Sequence, residues 1–211
     1  EEKARAAGLV ELLTPIAKAF LTDKGLECTV LGQQCFGGHG YVREWGMEQY
    51  VRDVRIAQIY EGTNGIQALD LMGRKVAANG GQNMAVLIQQ MRDYAASAKT
   101  AGMDEFTAPL LSAVDTLEAL TQDVLSAAKD DPHAVGAASV EYLNAAGYTI
   151  YAYMWARMAE AALQAGDDAF YTSKLHTARF YMTRLLPQLD AMAASVRAGS
   201  DVLMALPEEA F

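Results

Sequence analysis

A lone carboxylate inside a glycine-rich loop is the residue of this sequence best placed to do chemistry. Glu61 lies between an aromatic residue, Tyr60, and a flexible one, Gly62, and apolar helical segments are predicted on either side. A loop that is covered would strip water from this carboxylate, make it a stronger base and suit it to proton abstraction. Glutamate and glycine are equally typical of a helix start, where capping and the helix dipole favour them. Both interpretations stay open on these residues alone.

Residues that usually bind metals are scattered along the sequence. The histidines His39, His133 and His176 lie far apart, and neither Cys28 nor Cys35 belongs to a C-x-x-C motif. Zinc sites need closely spaced Cys and His, and di-iron bundles need Glu-x-x-His pairs on two helices. We therefore expect no protein-ligated metal.

The composition excludes several classes of protein. Apolar residues make up 52% of the 211 residues and charged residues 20%, which is typical of a folded globular chain. The net charge of −9 disfavours nucleic-acid binding, and no apolar run is long enough for a membrane helix. The two cysteines give no disulfide framework and favour a reducing, cytoplasmic location.

Helical periodicity dominates the sequence and predicts an all-α fold. In the first part, Thr14 followed by Pro15 resembles an N-cap with proline at the first helical position, so one helix should end and another begin there. Two glycine-rich stretches, 37–40 and 60–65, should interrupt the later helices. The predicted helices are about 1–13, 15–36, 47–57 and 66–78.

The strongest internal boundary is the Asn79-Gly80-Gly81-Gln82 stretch, which is typical of a helix end and a flexible joint. Beyond it, short turns, including one at 166–168, would force neighbouring helices to run antiparallel, as in an up-down four-helix bundle. Pro187 should kink the last helix. The predicted helices are 83–100, 104–131, 134–165 and 168–198, and the predicted domains are 1–80 and 81–211.

Three motifs in a fixed order resemble the C-terminal helical domain of acyl-CoA dehydrogenases. They are QCFGGHGY at 34–41, RDVRI at 52–56 and IYEGTNGIQ at 59–67. The resemblance is sharpest over 30–75 and covers about 1–78. The segment after Gly81 is similar to the extra C-terminal helical domain of longer members, including those acting on 3-methylthiopropanoyl-CoA, and the stretch 43–50 resembles that subgroup in particular.

The resemblance implies FAD-dependent α,β-dehydrogenation of an acyl-CoA thioester. Glu61 matches the catalytic base, whose backbone amide also helps to hold the thioester carbonyl. Tyr60 and Gly62 match positions lining the acyl-CoA site. The positions that match FAD contacts are Gln34, Gly37, Gly38 and Thr63.

The same resemblance implies partners. In the family, the glutamine and glycines matched by Gln34, Gly37 and Gly38 touch FAD bound mainly to a partner subunit, which implies a homodimer or a larger assembly. Electron-transfer flavoprotein is the implied electron acceptor, and a bacterial cytoplasm the implied location. Gly65 departs from the family, many members of which carry Gln or Glu there in contact with FAD.

The sequence opens Glu1-Glu2-Lys3 without an initiator Met, and the N-terminal helical and middle β domains of the family have no counterpart in it. We therefore expect a C-terminal fragment that is inactive alone. Two alternatives remain: a relative with changed activity, such as a flavin oxidase or the DNA-associated alkylation-response branch, and a helical oligomerisation module.

Overall fold

The computed structural model describes residues 2–166 and 168–210, and all regular structure within them is helical. The predicted all-α fold class is therefore confirmed. Three predicted positions lie outside the described residues: Glu1 in the first predicted helix, Asp167 in the predicted turn before the last helix, and Phe211 at the end of the second predicted domain. Within the described ranges, no helix combines the length and the hydropathy needed to cross a membrane.

The first 35 residues form one helix, α1 (Glu2–Cys35), where two were predicted. The predicted N-cap is wrong: the Thr14 hydroxyl donates to the Val10 carbonyl 2.7 Å away, one turn earlier in the same helix. Pro15 costs the helix a hydrogen bond, but Pro15 itself is buried beside Ile16 and Phe20. Packing of this buried face outweighs the local preference for a break.

The glycine-rich stretch after α1 does interrupt the chain, as predicted. Gly37 has a positive φ of 60°, and the chain then forms a short helix, α2 (Gly38–Tyr41), that was not predicted. Helix α3 (Met47–Arg55) continues into a 3₁₀ turn at Ile56–Gln58.

The second glycine-rich stretch leads into α4 (Asn64–Leu69), which begins two residues earlier than predicted. The helix then widens into a π-helix at Asp70–Val76 and closes with a 3₁₀ turn at Ala77–Asn79. The chain turns at Gly80 and Gly81, both with positive φ.

Long helices follow Gly81. They are α5 (Gln82–Ser97), α6 (Asp104–Ala127), α7 (Ala134–Ala165), α8 (Ala169–Phe180), α9 (Gln188–Arg197) and the short α10 (Asp201–Met204). The predicted helix over 168–198 is interrupted before α9 by a π-helix at Tyr181–Leu185 and a turn at Leu186 and Pro187, and the kink predicted at Pro187 stays a prediction. Helix α6 packs on α5 and α7, and α7 packs on α8 and α9. The up-down order of a four-helix bundle stays a prediction.

One hydrophobic core is shared by residues of both predicted domains. One buried cluster contains Phe20 and Met72 from the first 80 residues together with Leu117 and Ala156 from the rest. Helix α7 packs against α1, α4 and the π-helix at Asp70–Val76. The division into domains 1–80 and 81–211 stays a prediction, and the two parts share a packed interior.

Candidate active site

The loop that carries Glu61 connects the 3₁₀ turn at Ile56–Gln58 to α4. The amides of Ile59 and Tyr60 both donate to the carbonyl of Ile56, at 2.9 and 3.1 Å, and end the turn. Glu61 and Gly62 then adopt left-handed torsions, with φ 52° and 85°. Two consecutive residues of this kind bend the chain just before the start of α4.

Glu61 is the one non-glycine residue with positive φ in the part of the chain that the structure describes. A glutamate in this region costs on the order of 1–3 kcal/mol, and such torsions cluster at functional sites. The Glu61 side chain is exposed, as are its neighbours Tyr60, Gly62 and Thr63. The loop therefore presents the carboxylate outward at an energetic cost to the backbone.

Gln67 closes the loop from within α4. Its backbone amide donates to the Thr63 carbonyl at 3.0 Å, and its side-chain amide donates to the Glu61 carbonyl at 3.3 Å. A Cβ added at Gly62 would lie 2.8 Å from Nε2 of Gln67. Glycine at position 62 is therefore favoured chiefly by its positive φ, and a side chain there would also displace the end of the Gln67 side chain.

Asn64, the first residue of α4, fastens the loop to α1. Its side-chain oxygen accepts from Nζ of Lys18 at 2.8 Å, and its side-chain nitrogen donates to the Ala19 carbonyl at 3.1 Å. The same nitrogen lies 3.0 Å from the Thr22 hydroxyl and 2.6 Å from Oδ1 of Asp23.

The residue that precedes the loop, Gln58, is hydrogen-bonded to the same Asp23 carboxylate as Asn64. Gln58 Nε2 donates to Oδ1 of Asp23 at 2.6 Å, while Gln58 Oε1 accepts from Nη1 of Arg55 at 2.9 Å. Asp23, Gln58 and Asn64 are all partly buried. One oxygen of Asp23 thus receives hydrogen bonds from residues on both sides of Glu61.

The predicted cofactor contacts at the end of α1 form a separate cluster. Gln34, Gly37 and Gly38 are exposed, and the Gly37 amide donates to the Gln34 carbonyl at 3.0 Å. Side-chain atoms added at either glycine would meet nothing within 4 Å, so the backbone there is open to a ligand. Gln34 lies roughly 16 Å along α1 from Asp23, at 1.5 Å rise per residue.

A groove of about 960 Å³ lies between α1 and α3. Ile59 is the residue of the Glu61 loop that reaches it, and the predicted cofactor contacts are not among its lining residues. The walls of the groove combine apolar side chains of α1, such as Leu26 and Val30, with the arginines Arg43, Arg52 and Arg55. The groove borders the loop without containing the carboxylate.

A charged contact of Lys24 fixes α1 to α7. Burial alone would lower the pKa of Lys24, but hydrogen bonds to Glu27 and Tyr148 outweigh it and hold the pKa above its ordinary value. Nζ of Lys24 lies 2.8 Å from the Tyr148 hydroxyl, which donates to Gln188 at 2.9 Å. Asp23 precedes Lys24 directly, so this part of α1 is held on α7 beside the loop.

No group of three or more His, Cys, Asp or Glu side chains within 2–166 and 168–210 is arranged to hold a metal ion. The site consists of one carboxylate on a loop fixed at both ends, together with an exposed glycine-rich turn just beyond the end of α1.

Comparison with known proteins assigns this scaffold to a family. Residues 2–77 match the family model described as Acyl-CoA dehydrogenase, C-terminal domain, and residues 87–207 match the one described as Acetyl-CoA dehydrogenase C-terminal like. The chain belongs to the acyl-CoA dehydrogenase family, which confirms the resemblance based on the three motifs.

Individual relatives align with nearly the whole chain. It is 33% identical to the 3-methylmercaptopropionyl-CoA dehydrogenase of Ruegeria pomeroyi, over 97% of this chain and 36% of that protein. It is 29% identical to a butyryl-CoA dehydrogenase of Syntrophomonas wolfei, over 93% and 34%. It is also 29% identical to the broad-specificity linear acyl-CoA dehydrogenase FadE5 of Mycobacterium tuberculosis, over 95% and 35%. The chain spans about a third of the length of these relatives.

The structure brings Tyr60, Glu61, Gly62 and Thr63 together on one loop and leaves Gln34, Gly37 and Gly38 at the end of α1. Sequence reasoning missed the residues that hold the loop, Asp23, Gln58 and Asn64. The polar Asn64 directly after the loop was the available signal, but its partner on α1 is 41 residues away in sequence.

Proposed function

We propose that this chain is the C-terminal part of an FAD-dependent acyl-CoA dehydrogenase, in which Glu61 is the catalytic base. The observation that carries the proposal is the left-handed backbone of Glu61, on a loop held at both ends and closed by Gln67. Membership of the acyl-CoA dehydrogenase family and the printed activities of the relatives support it.

In the proposed reaction, the Glu61 carboxylate removes a proton from the carbon α to the thioester carbonyl. FAD, when bound, would accept the hydride that leaves the β carbon, so that a double bond forms between the two carbons. The Glu61 amide would stabilise negative charge that develops on the thioester oxygen. Tyr60 and Gly62, on either side of the base, would line the acyl-CoA site.

The residues proposed to contact FAD fit a surface contact. Gln34, Gly37, Gly38 and Thr63 are all exposed, and the two glycines leave the backbone accessible. Gln34 lies roughly 16 Å along α1 from Asp23, which contacts the Glu61 loop, and this separation supports contact with FAD held mainly by a partner subunit. We therefore propose a homodimer or a larger assembly, in a bacterial cytoplasm, with electron-transfer flavoprotein as the electron acceptor.

The chain by itself is proposed to be inactive. The side chains of three isoleucines that flank the loop are about half exposed: Ile56, Ile59 and Ile66. The residues that the structure describes therefore leave the base uncovered. Other parts of a longer protein would have to supply the dry pocket that the chemistry needs. Purified residues 1–211 should lose flavin absorbance on desalting and should not reduce an artificial acceptor with acyl-CoA. Flavin retention or turnover would contradict this.

Replacing the base tests the main proposal. In the full-length protein that contains this chain, Glu61→Gln should lower turnover by about 10²–10⁴-fold, the usual contribution of a general base, with flavin still bound. Glu44→Gln, an exposed carboxylate in the 3₁₀ turn at Arg43–Trp45, is the control and should leave turnover unchanged. Retained activity in Glu61→Gln would show that another residue is the base.

The same turnover assay distinguishes the proposed dehydrogenase from the alternative activities. A dehydrogenase should need an electron acceptor, whereas a flavin oxidase should consume oxygen and release hydrogen peroxide at a comparable rate. The net charge of −9 disfavours the DNA-associated branch. For the third alternative, a helical oligomerisation module, Glu61→Gln should have no effect on any measured activity.

A further inference from the structure

We propose, on the basis of the proposed role of Glu61, that Asp23 is a positioning residue that holds the Glu61 loop in its reactive geometry. Asp23 lies on α1 and belongs to none of the motifs that indicate the family. Its Oδ1 accepts from Gln58 Nε2 and from Asn64 Nδ2, each at 2.6 Å. Gln58 is three residues before Glu61 and Asn64 is three residues after it.

The orientation of both amides is fixed by their second partners. The Gln58 oxygen accepts from Arg55, so its nitrogen must face Asp23. The Asn64 oxygen accepts from the Lys18 ammonium, so its nitrogen must also face Asp23. A rotated amide would place an oxygen against the carboxylate, and the arrangement therefore has one favourable form.

Asp23 itself is held on a rigid support. Phe20, one turn earlier, is buried against α7, and Lys24, the next residue, reaches the Tyr148 hydroxyl on α7. The face of α1 that carries Asp23 cannot shift without disturbing these contacts. Hydrogen bonds from neutral amides to a partly buried carboxylate are charge-assisted and stronger than neutral ones.

This support matters because the Glu61 backbone is strained. A left-handed glutamate persists only where the surrounding structure over-determines it. Freeing one end of the loop would let Glu61 relax toward negative φ and carry its carboxylate away from the substrate carbon. A displacement of about 1 Å at a reacting group costs on the order of 10²-fold in rate.

Two substitutions at position 23 separate positioning from general stability. Asp23→Ala removes the acceptor, whereas Asp23→Asn keeps a carbonyl oxygen that can accept from both amides but carries no charge. The matched control is Glu27→Gln, one turn further along α1, where the side chain pairs with Lys24 and does not reach the loop.

The first measurement is steady-state kinetics on the full-length enzyme with acyl-CoA deuterated at the α carbon. Asp23→Ala should lower kcat about 10–100-fold with KM changed less than about threefold, and should raise the kinetic isotope effect because proton removal becomes slower. Asp23→Asn should recover most of kcat, and Glu27→Gln should match the native enzyme. A loss in Asp23→Asn equal to that in Asp23→Ala, or an unchanged isotope effect in Asp23→Ala, would overturn the proposal.

The second measurement needs no turnover. Amide hydrogen exchange over residues 59–64 of the 211-residue chain should be faster in Asp23→Ala than in the native chain, and unchanged in Glu27→Gln. Unchanged exchange in Asp23→Ala would overturn the proposal. Turnover of Glu61→Gln is measured in parallel. If Glu61→Gln stays active, the proposed function fails, and the exchange result still decides whether Asp23 holds the loop. If Glu61→Gln is inactive and Asp23→Ala has native turnover and exchange, only the positioning role fails.

Discussion

The ring of Phe20 occupies the space into which a side chain at Gly147 would project. A Cβ added at Gly147 would overlap the ring atoms of Phe20, and both residues are buried where α1 crosses α7. Tyr148 and Tyr151 then pack edge-on against the same ring, at centroid distances of 5.4 and 4.9 Å. This contact joins the helix that supports the Glu61 loop to the helices after Gly81.

Substitution of Gly147 should therefore destabilise the whole chain. Gly147→Ala should lower the free energy of unfolding by about 1–3 kcal/mol, the usual cost of overpacking, measured by urea denaturation. Gly136→Ala is the control, since it lies in the same helix with open space around it. That variant should be as stable as the native chain or up to about 1 kcal/mol more stable, because alanine favours a helix. Equal effects at the two positions would contradict the Phe20 contact.

Gly62 should tolerate a side chain less well than its near neighbour Gly65. Gly62→Ala would place a Cβ 2.8 Å from Nε2 of Gln67 and would force alanine to φ 85°, so we expect a loss of about 1–2 kcal/mol in unfolding free energy. Gly65→Ala, inside α4 with nothing within 4 Å, should be neutral or stabilising. A Gly62→Ala variant as stable as Gly65→Ala would show that the loop relaxes freely.

Thr121 and Tyr142 form a buried pair of hydroxyl groups, of which Thr121 also has a second hydrogen-bond partner. Their oxygens lie 2.7 Å apart, and the Thr121 hydroxyl also lies 2.8 Å from the Leu117 carbonyl, to which it donates. Tyr142 must then be the donor to Thr121, and burial holds the pKa of its hydroxyl above the ordinary value. Thr121→Val would leave that donor without a partner.

We therefore expect Thr121→Val to cost about 1–3 kcal/mol in unfolding free energy and Tyr142→Phe only about 1 kcal/mol. The double variant should be close to Tyr142→Phe alone, because no unpaired donor remains. Chemical denaturation of the three variants checks this order, and a Tyr142→Phe variant less stable than Thr121→Val would reverse the assignment of donor and acceptor.

A surface ion pair should give stability a small dependence on pH. Arg179 donates to both carboxylate oxygens of Glu105, at 2.8 and 2.7 Å, and these hydrogen bonds hold the pKa of Glu105 below its ordinary value. The stabilisation is therefore present above the unfolded pKa, about 4.3, and is lost as the pH falls through the lower folded value.

A double-mutant cycle with Glu105→Gln and Arg179→Gln measures the coupling. Both side chains are about two-fifths exposed, so solvent screening limits it to about 0.5 kcal/mol at pH 7. The coupling energy from urea denaturation should fall toward zero well below pH 4, where Glu105 is protonated. A coupling of the same size at both pH values would contradict the pairing.

The helices follow from the sequence wherever local signals and packing agree. Helical periodicity and the glycines at 37 and 62 correctly predict an all-α fold with breaks at those points. Pro15 misleads, because its local preference for a helix start is overridden by the buried face of α1. The π-helices at Asp70–Val76 and Tyr181–Leu185 could not be predicted, since a wider turn leaves no periodic pattern of its own in so few residues.

The candidate site could also be predicted only in part from the sequence. Glu61 and its loop neighbours are recognisable because the motif is contiguous in sequence. Asp23 is not, because its hydrogen bonds to Gln58 and Asn64 join positions 35 and 41 residues apart that no spacing rule connects. The proposed base can thus be found from the sequence pattern, whereas the proposed positioning residue is visible only in the fold.

The torsion at position 61 also limits which side chains this loop can carry. Any residue placed there must adopt φ near 52° if the loop keeps its shape. Glycine and asparagine reach that region at the lowest cost, whereas valine, isoleucine and threonine rarely adopt it because of their branched Cβ. The backbone therefore restricts the choice of residue at position 61 independently of any chemistry that the carboxylate performs.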